Sequence, residues 1–95
     1  MADIELTRAH SLGVDGGRDA VTQVARKLEH TLSVDCRWEG NTLQFEGHGA
    51  EGTIDVQPER VDVAIELSFM LRAMKGWIRS EAESYLDEYL VEDGG

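Results

Sequence analysis

The sequence predicts an α+β fold in the order β-α-β-β-β-β-α: a five-stranded antiparallel sheet with both helices packed on one face. Three observations lead there. Five segments alternate apolar and polar residues, and two longer segments repeat apolar residues every three or four positions. The connections between the last four alternating segments are short enough for hairpins alone, which makes them an antiparallel meander with one wet face.

Each element has its own signature. Ile4-Glu5-Leu6-Thr7 alternates as a first strand, and Ser11 to Gly17, with Gly13, Gly16 and Gly17, reads as a loop. From about Asp15 to Leu32, Val21, Val24, Ala25, Leu28 and Leu32 share one helical face, with Asp19, Gln23, Arg26 and His30 opposite. Asp15 is the expected N-cap. Val34, Cys36 and Trp38 form the apolar side of the next strand, and Gly40-Asn41 supplies the turn. Leu43 and Phe45 continue, Gly47-His48-Gly49 breaks the pattern, and Ile54 and Val56 resume it up to Pro58, which has no N–H for a ladder. Val61, Val63, Ile65 and Leu67 make the fifth strand. From Phe69 to about Leu90 the helical period returns, with Met70, Leu71, Met74, Trp77, Ile78, Ala82, Tyr85 and Tyr89 on the expected buried arc. The whole of residues 1–95 is expected to be one domain, with about 92–95 a frayed acidic tail.

Composition removes several function classes. The chain has 95 residues, with nine Lys and Arg against nineteen Asp and Glu, for a formal net charge of −10. Such a balance opposes nucleic-acid binding, which rests on phosphate neutralisation, and docking on an anionic bilayer through a polybasic patch. No apolar run is long enough to span a bilayer, so a membrane protein is not expected. The start, Met-Ala-Asp-Ile-Glu, has neither the basic nor the apolar region of a signal peptide. A single cysteine suits a reducing, cytoplasmic compartment.

Chemical motifs are weak throughout. The Gly13–Gly17 stretch lacks the spacing of a phosphate loop, and Asp15 would repel an incoming phosphate. His10, His30, His48 and Cys36 lack zinc-ligand spacing, and Cys36 between Val34 and Trp38 is an inert core thiol. No catalytic residue, cofactor or metal is expected. What is left lies on the last helix. Glu81 falls inside the apolar arc, where a buried carboxylate would make a proton-transfer group or ligand contact, or at its rim, where it would reach water. Arg72, Lys75 and Arg79 share one flank, to meet an anionic partner or to neutralise strand carboxylates. Trp77 lies on the neighbouring arc. Leu86, Tyr89 and Leu90 leave the C-terminal half apolar on nearly two sides, which calls for a curled sheet, a ligand or a second subunit. A homodimer through Leu86, Tyr89 and Leu90 is therefore expected. The outer face of the sheet, with Glu5, Asp35, Glu39, Glu46, Asp55, Asp62 and Glu66, is too acidic to serve as the partner surface.

Several stretches resemble a known family. His10-Ser11-Leu12-Gly13 after a short strand is similar to the opening of the polyhydroxyalkanoic acid system family, small proteins labelled as granule-associated or granule-regulating. Arg37-Trp38-Glu39-Gly40-Asn41-Thr42-Leu43-Gln44-Phe45 resembles its central hairpin, and Gly49 with Gly52-Thr53-Ile54-Asp55-Val56 resembles its next strand. Leu67-Ser68-Phe69-Met70-Leu71 with Lys75-Gly76 resembles the entry to its last helix, although Ala73-Met74 departs from the Pro-Phe-like pair of the family pattern. The resemblance spans nearly the whole chain but rests on turns, strand aromatics and a helix start. It implies no catalytic residue and no cofactor.

Three functions follow as expectations. The first is a non-enzymatic accessory protein of polyhydroxyalkanoate (storage polyester) metabolism, contacting the granule, its synthase or its coat proteins. The second is a small carrier of hydrophobic ligands, since a sheet gripping a long C-terminal helix resembles the helix-grip domains. The third is an enzyme using Glu81 with Tyr85.

Overall fold

The structure, a computed structural model, describes residues 2–90. The expected tail at about 92–95 lies outside them. The elements run β1 (Ile4–Ala9), α1 (Gly13–Leu32), β2 (Asp35–Glu39), β3 (Thr42–Gly47), β4 (Ala50–Val56), β5 (Arg60–Leu67), a 3₁₀ turn (Leu71–Met74) and α2 (Lys75–Tyr89). The five strands form one antiparallel sheet in the order β1-β5-β4-β3-β2, so the chain's first strand closes the edge beside its last. Helix α1 lies over β4 and β2, α2 lies over β1, and the two helices pack on each other.

Alternation decides which face each strand buries. Ile4 and Leu6, Leu43 and Phe45, Ile54 and Val56, and Val61, Val63, Ile65 and Leu67 point inward to meet Val21, Val24, Ala25 and Leu28 of α1. Phe45 stands directly opposite Gly52 in the β3–β4 ladder. A side chain at Gly52 would run into the Phe45 ring and the Ala64 carbonyl, so glycine makes room for the aromatic. On the outer face, Asp35, Glu46, Glu51 and Glu66 stand opposite one another in turn across β2, β3, β4 and β5. Like charges directly opposite destabilise a sheet, and water on this face screens them. Asp55 and Asp62 form a second pair, bridged by the Gln57 amide at 3.1 and 2.9 Å.

The start of α1 differs from expectation. The helix begins at Gly13, so Gly16 and Gly17 lie within it, and Asp15 is a first-turn residue with Leu12 at the cap position. The reason is the His10 ring. Leu12 N–H donates to Nδ1 (3.1 Å), which leaves the ring proton on Nε2 to meet the Gln57 carbonyl at 3.0 Å. The buried ring thus ties the end of β1, the helix start and the β4–β5 turn together, and Gly13 turns the chain with a φ of +70°. Gly17 then marks close approach instead of a loop: a Cβ there would lie 2.9 Å from Val56 and 3.1 Å from His10. The family-like His10-Ser11-Leu12-Gly13 stretch is explained by this junction. Trp38 likewise has a packing role, with the Arg18 guanidinium 4.7 Å above its ring.

Candidate functional site

The last segment of the chain divides into two regions of opposite exposure. After β5, Ser68 N–H donates to the Gly49 carbonyl (2.7 Å), and the Ser68 carbonyl accepts from Leu71 N–H (3.0 Å) and Arg72 N–H (3.1 Å). That tight turn throws its two central residues outward. Phe69 is 86% exposed and Met70 81%, whereas Leu71 folds back against the core. The 3₁₀ turn then leads to Met74 at the cap of α2, 44% exposed, and to Trp77 in its first turn, 46% exposed. From Ile78 onward the situation reverses. Ile78, Ala82, Leu86 and Leu90 follow at every fourth position and are buried, with Leu86 at 1% exposure and Leu90 at 5%.

This corrects the expected helix face. The buried stripe is Ile78-Ala82-Leu86-Leu90, flanked by the half-buried Tyr85 and Tyr89, and Met70, Met74 and Trp77 fall outside it. Leu86 and Leu90, expected on a second, free flank, are core residues, because the sheet and α1 together cover that side of α2. The dimer surface built on Leu86, Tyr89 and Leu90 therefore loses its premise. The helix was also expected from Phe69; α2 starts at Lys75, since the Ser68 turn and the 3₁₀ turn occupy the intervening residues.

The remaining candidates sort by position. Arg72, Lys75 and Arg79 are exposed beside the apolar residues. Arg72 reaches Asp3 at 3.5 Å, and Arg79 pairs with Glu83 on the next turn at 3.0 Å. Glu81 sits at the half-exposed rim of α2. The Tyr85 hydroxyl is 2.7 Å from Thr31 Oγ1, tying α2 to α1. Arg8 of β1 holds the same helix from the sheet edge, through Asp87 at 3.0 Å and Glu83 at 3.5 Å. Phe69, Met70 and Met74 belong to the exposed segment; periodicity places Met70 and Met74 on the buried arc and Phe69 only at the start of the helix. A signal for them does exist in the sequence. Residues 67–80 are the longest stretch without an acid and hold three of the nine cations.

Other features offer less chemistry. Burial first, then the charges of Glu29 and Asp35, push the Cys36 thiol from its ordinary 9.0 up to about 11, so it is a poor nucleophile. Among the described residues, no His, Cys, Asp and Glu are grouped to hold a metal ion, and no helix is long and apolar enough to cross a membrane. A cleft of about 570 Å³ opens at one end of the sheet between Asp3, Glu46, His48, Glu66 and Arg72. Two smaller ones lie against the outer strand residues, and none of these three separates the helices from the sheet.

Comparison with known proteins adds one finding. No curated protein and no solved structure matches the chain with significance. Residues 4–90 match the family described as "putative polyhydroxyalkanoic acid system protein", a span that takes in all five strands and both helices. The chain belongs to the polyhydroxyalkanoic acid system family.

Proposed function

We propose that this protein serves the polyhydroxyalkanoate system as a non-enzymatic accessory, acting by contact with the storage granule or with its synthase or coat proteins. The contact surface is the segment Phe69–Arg79. The observation that carries this reading is the exposure of Phe69, Met70, Met74 and Trp77 beside Arg72, Lys75 and Arg79. Scattered single apolar residues on a surface are ordinary, but four large ones within nine residues favour a binding surface. Family membership supplies the storage-polyester setting.

The competing readings find less support. A hydrophobic-ligand carrier needs room between helices and sheet, where Phe45, Leu28, Ile54 and Ile78 pack. An enzyme built on Glu81 and Tyr85 would need the hydroxyl that Tyr85 shares with Thr31. The acidic outer face is not the partner surface, because desolvating its carboxylates is costly.

Fractionation of a polyester-accumulating host tests the proposal. The expected result is enrichment of the protein with granules and a changed granule number or size on deletion. Charge reversal of Glu39 and Glu46 on the outer face should leave enrichment unchanged. Protein confined to the soluble fraction, with unaltered granules in the deletion strain, would overturn the reading.

A further inference from the structure

We infer that the segment Phe69–Arg79 is an interfacial anchor for an anionic lipid surface. Phe69, Met70 and Trp77 enter the headgroup layer, and Arg72, Lys75 and Arg79 meet its phosphates. This rests on the segment being the contact surface and names the chemistry of what it meets.

Charge is the first argument. Residues 67–80 carry three cations and no acid, whereas the rest of the chain carries six cations against nineteen Asp and Glu, thirteen before the segment and six after it. Arg72 and Arg79 each meet an acid, Asp3 and Glu83, yet their side chains stay 60% and 50% exposed, and Lys75 has no ion-pair partner among the described residues, so the segment favours an anionic partner. A second copy of the chain fits poorly: a two-fold axis through the segment would set its three cations against the same three. A lipid phosphate layer supplies the opposite charge in a continuous sheet, at roughly one factor of five in affinity per cation near the surface.

Shape is the second argument. Phe69 and Met70 are the two outward residues of a tight turn, so they project as a wedge and do not line a groove. A rigid partner would need a matching pocket for them, but a fluid layer parts around such side chains. Trp77, half-exposed in the first turn of α2, has the amphipathic ring enriched at membrane–water interfaces. The segment also belongs to the helical side of the molecule. The acidic row Glu46, Glu51 and Glu66 lines the cleft that Arg72 also borders at one end of the sheet, and salt screens it from charges more than about 8 Å away at physiological ionic strength.

Vesicle flotation tests the anchor against its alternatives. The full chain is mixed with phosphatidylcholine vesicles, with vesicles containing phosphatidylglycerol, and with lipid-free polyhydroxybutyrate particles. The expected result is binding to the phosphatidylglycerol vesicles, weakened at least about ten-fold by Phe69→Ser with Met70→Ser, about five-fold by Lys75→Gln, and further by added salt. All these positions are exposed, and an unchanged melting temperature shows that each variant is folded. Absence of binding to the anionic vesicles, or equal binding to phosphatidylcholine alone, would overturn the anchor. If the lipid-free polyester is bound and the anionic vesicles are not, the anchor fails while granule contact stands. If the vesicles are bound but granules from the host are not, the anchor stands and granule contact fails.

Discussion

The two halves of the chain's last segment are both apolar, yet one is core and the other is surface. Residues 69–77 contribute Phe69, Met70, Met74 and Trp77, all exposed, and residues 78–90 contribute Ile78, Ala82, Leu86 and Leu90, all buried. Hydrophobicity does not separate the halves; geometry does. In the second half the apolar residues recur at every fourth position and lie along a single stripe that β1 and α1 can cover. In the first half, the Ser68 turn and the 3₁₀ turn precede the helix, so its residues follow no single face. A stripe can be buried by one sheet and one neighbouring helix, but residues on a turn tip cannot.

The contrast is sharpest at Leu86. Leu86→Ala should cost about 2–5 kcal/mol by cavity formation, and Leu86→Glu should leave no cooperative thermal transition. An unfolding curve like the wild type for Leu86→Glu would place Leu86 on the surface and return the dimer to consideration. A smaller effect is expected where α2 meets α1. Tyr85→Phe removes the bond to Thr31 and should cost about 0.5–1.5 kcal/mol, measured as a shift in the denaturant midpoint. No shift would mean that water replaces Thr31 without loss. The smallest effect is expected in the first half: Phe69→Ser should change stability by less than about 0.5 kcal/mol. A larger loss would show that Phe69 packs against the fold, and the division into core and surface halves would fail.

Much of the fold was legible because strand alternation and short connections are local signals. Val61, Val63, Ile65 and Leu67 could be assigned to one face from their spacing alone, and Gly40-Asn41 marked its hairpin. The glycines before α1 were misleading for a physical reason. Gly17 is required by the close approach of Val56 and the His10 ring, a tertiary demand that resembles loop composition. The position of β1 at the sheet edge beside β5 also depends on long-range pairing, Ile4 with Ile65 and Leu6 with Val63, which no local pattern encodes. In the proposed contact segment, Arg72, Lys75 and Arg79 are singled out by charge, whereas Trp77, a candidate contact, is also read into the buried arc and is exposed in the structure. Met70 and Met74 were hidden because the Ser68 turn interrupts the helical period, so an arc drawn through them joins residues that share no face, and Phe69 read only as the start of the helix.

The central claim is that Phe69–Arg79 carries the contact with the granule independently of the fold. Its most direct test is quantitative granule fractionation of the chain bearing Phe69→Ser and Met70→Ser, beside the wild type, in a polyester-accumulating host lacking the native copy. The expected result is a variant with wild-type melting behaviour that moves from the granule fraction to the supernatant. A variant that stays on granules as fully as the wild type would contradict the claim.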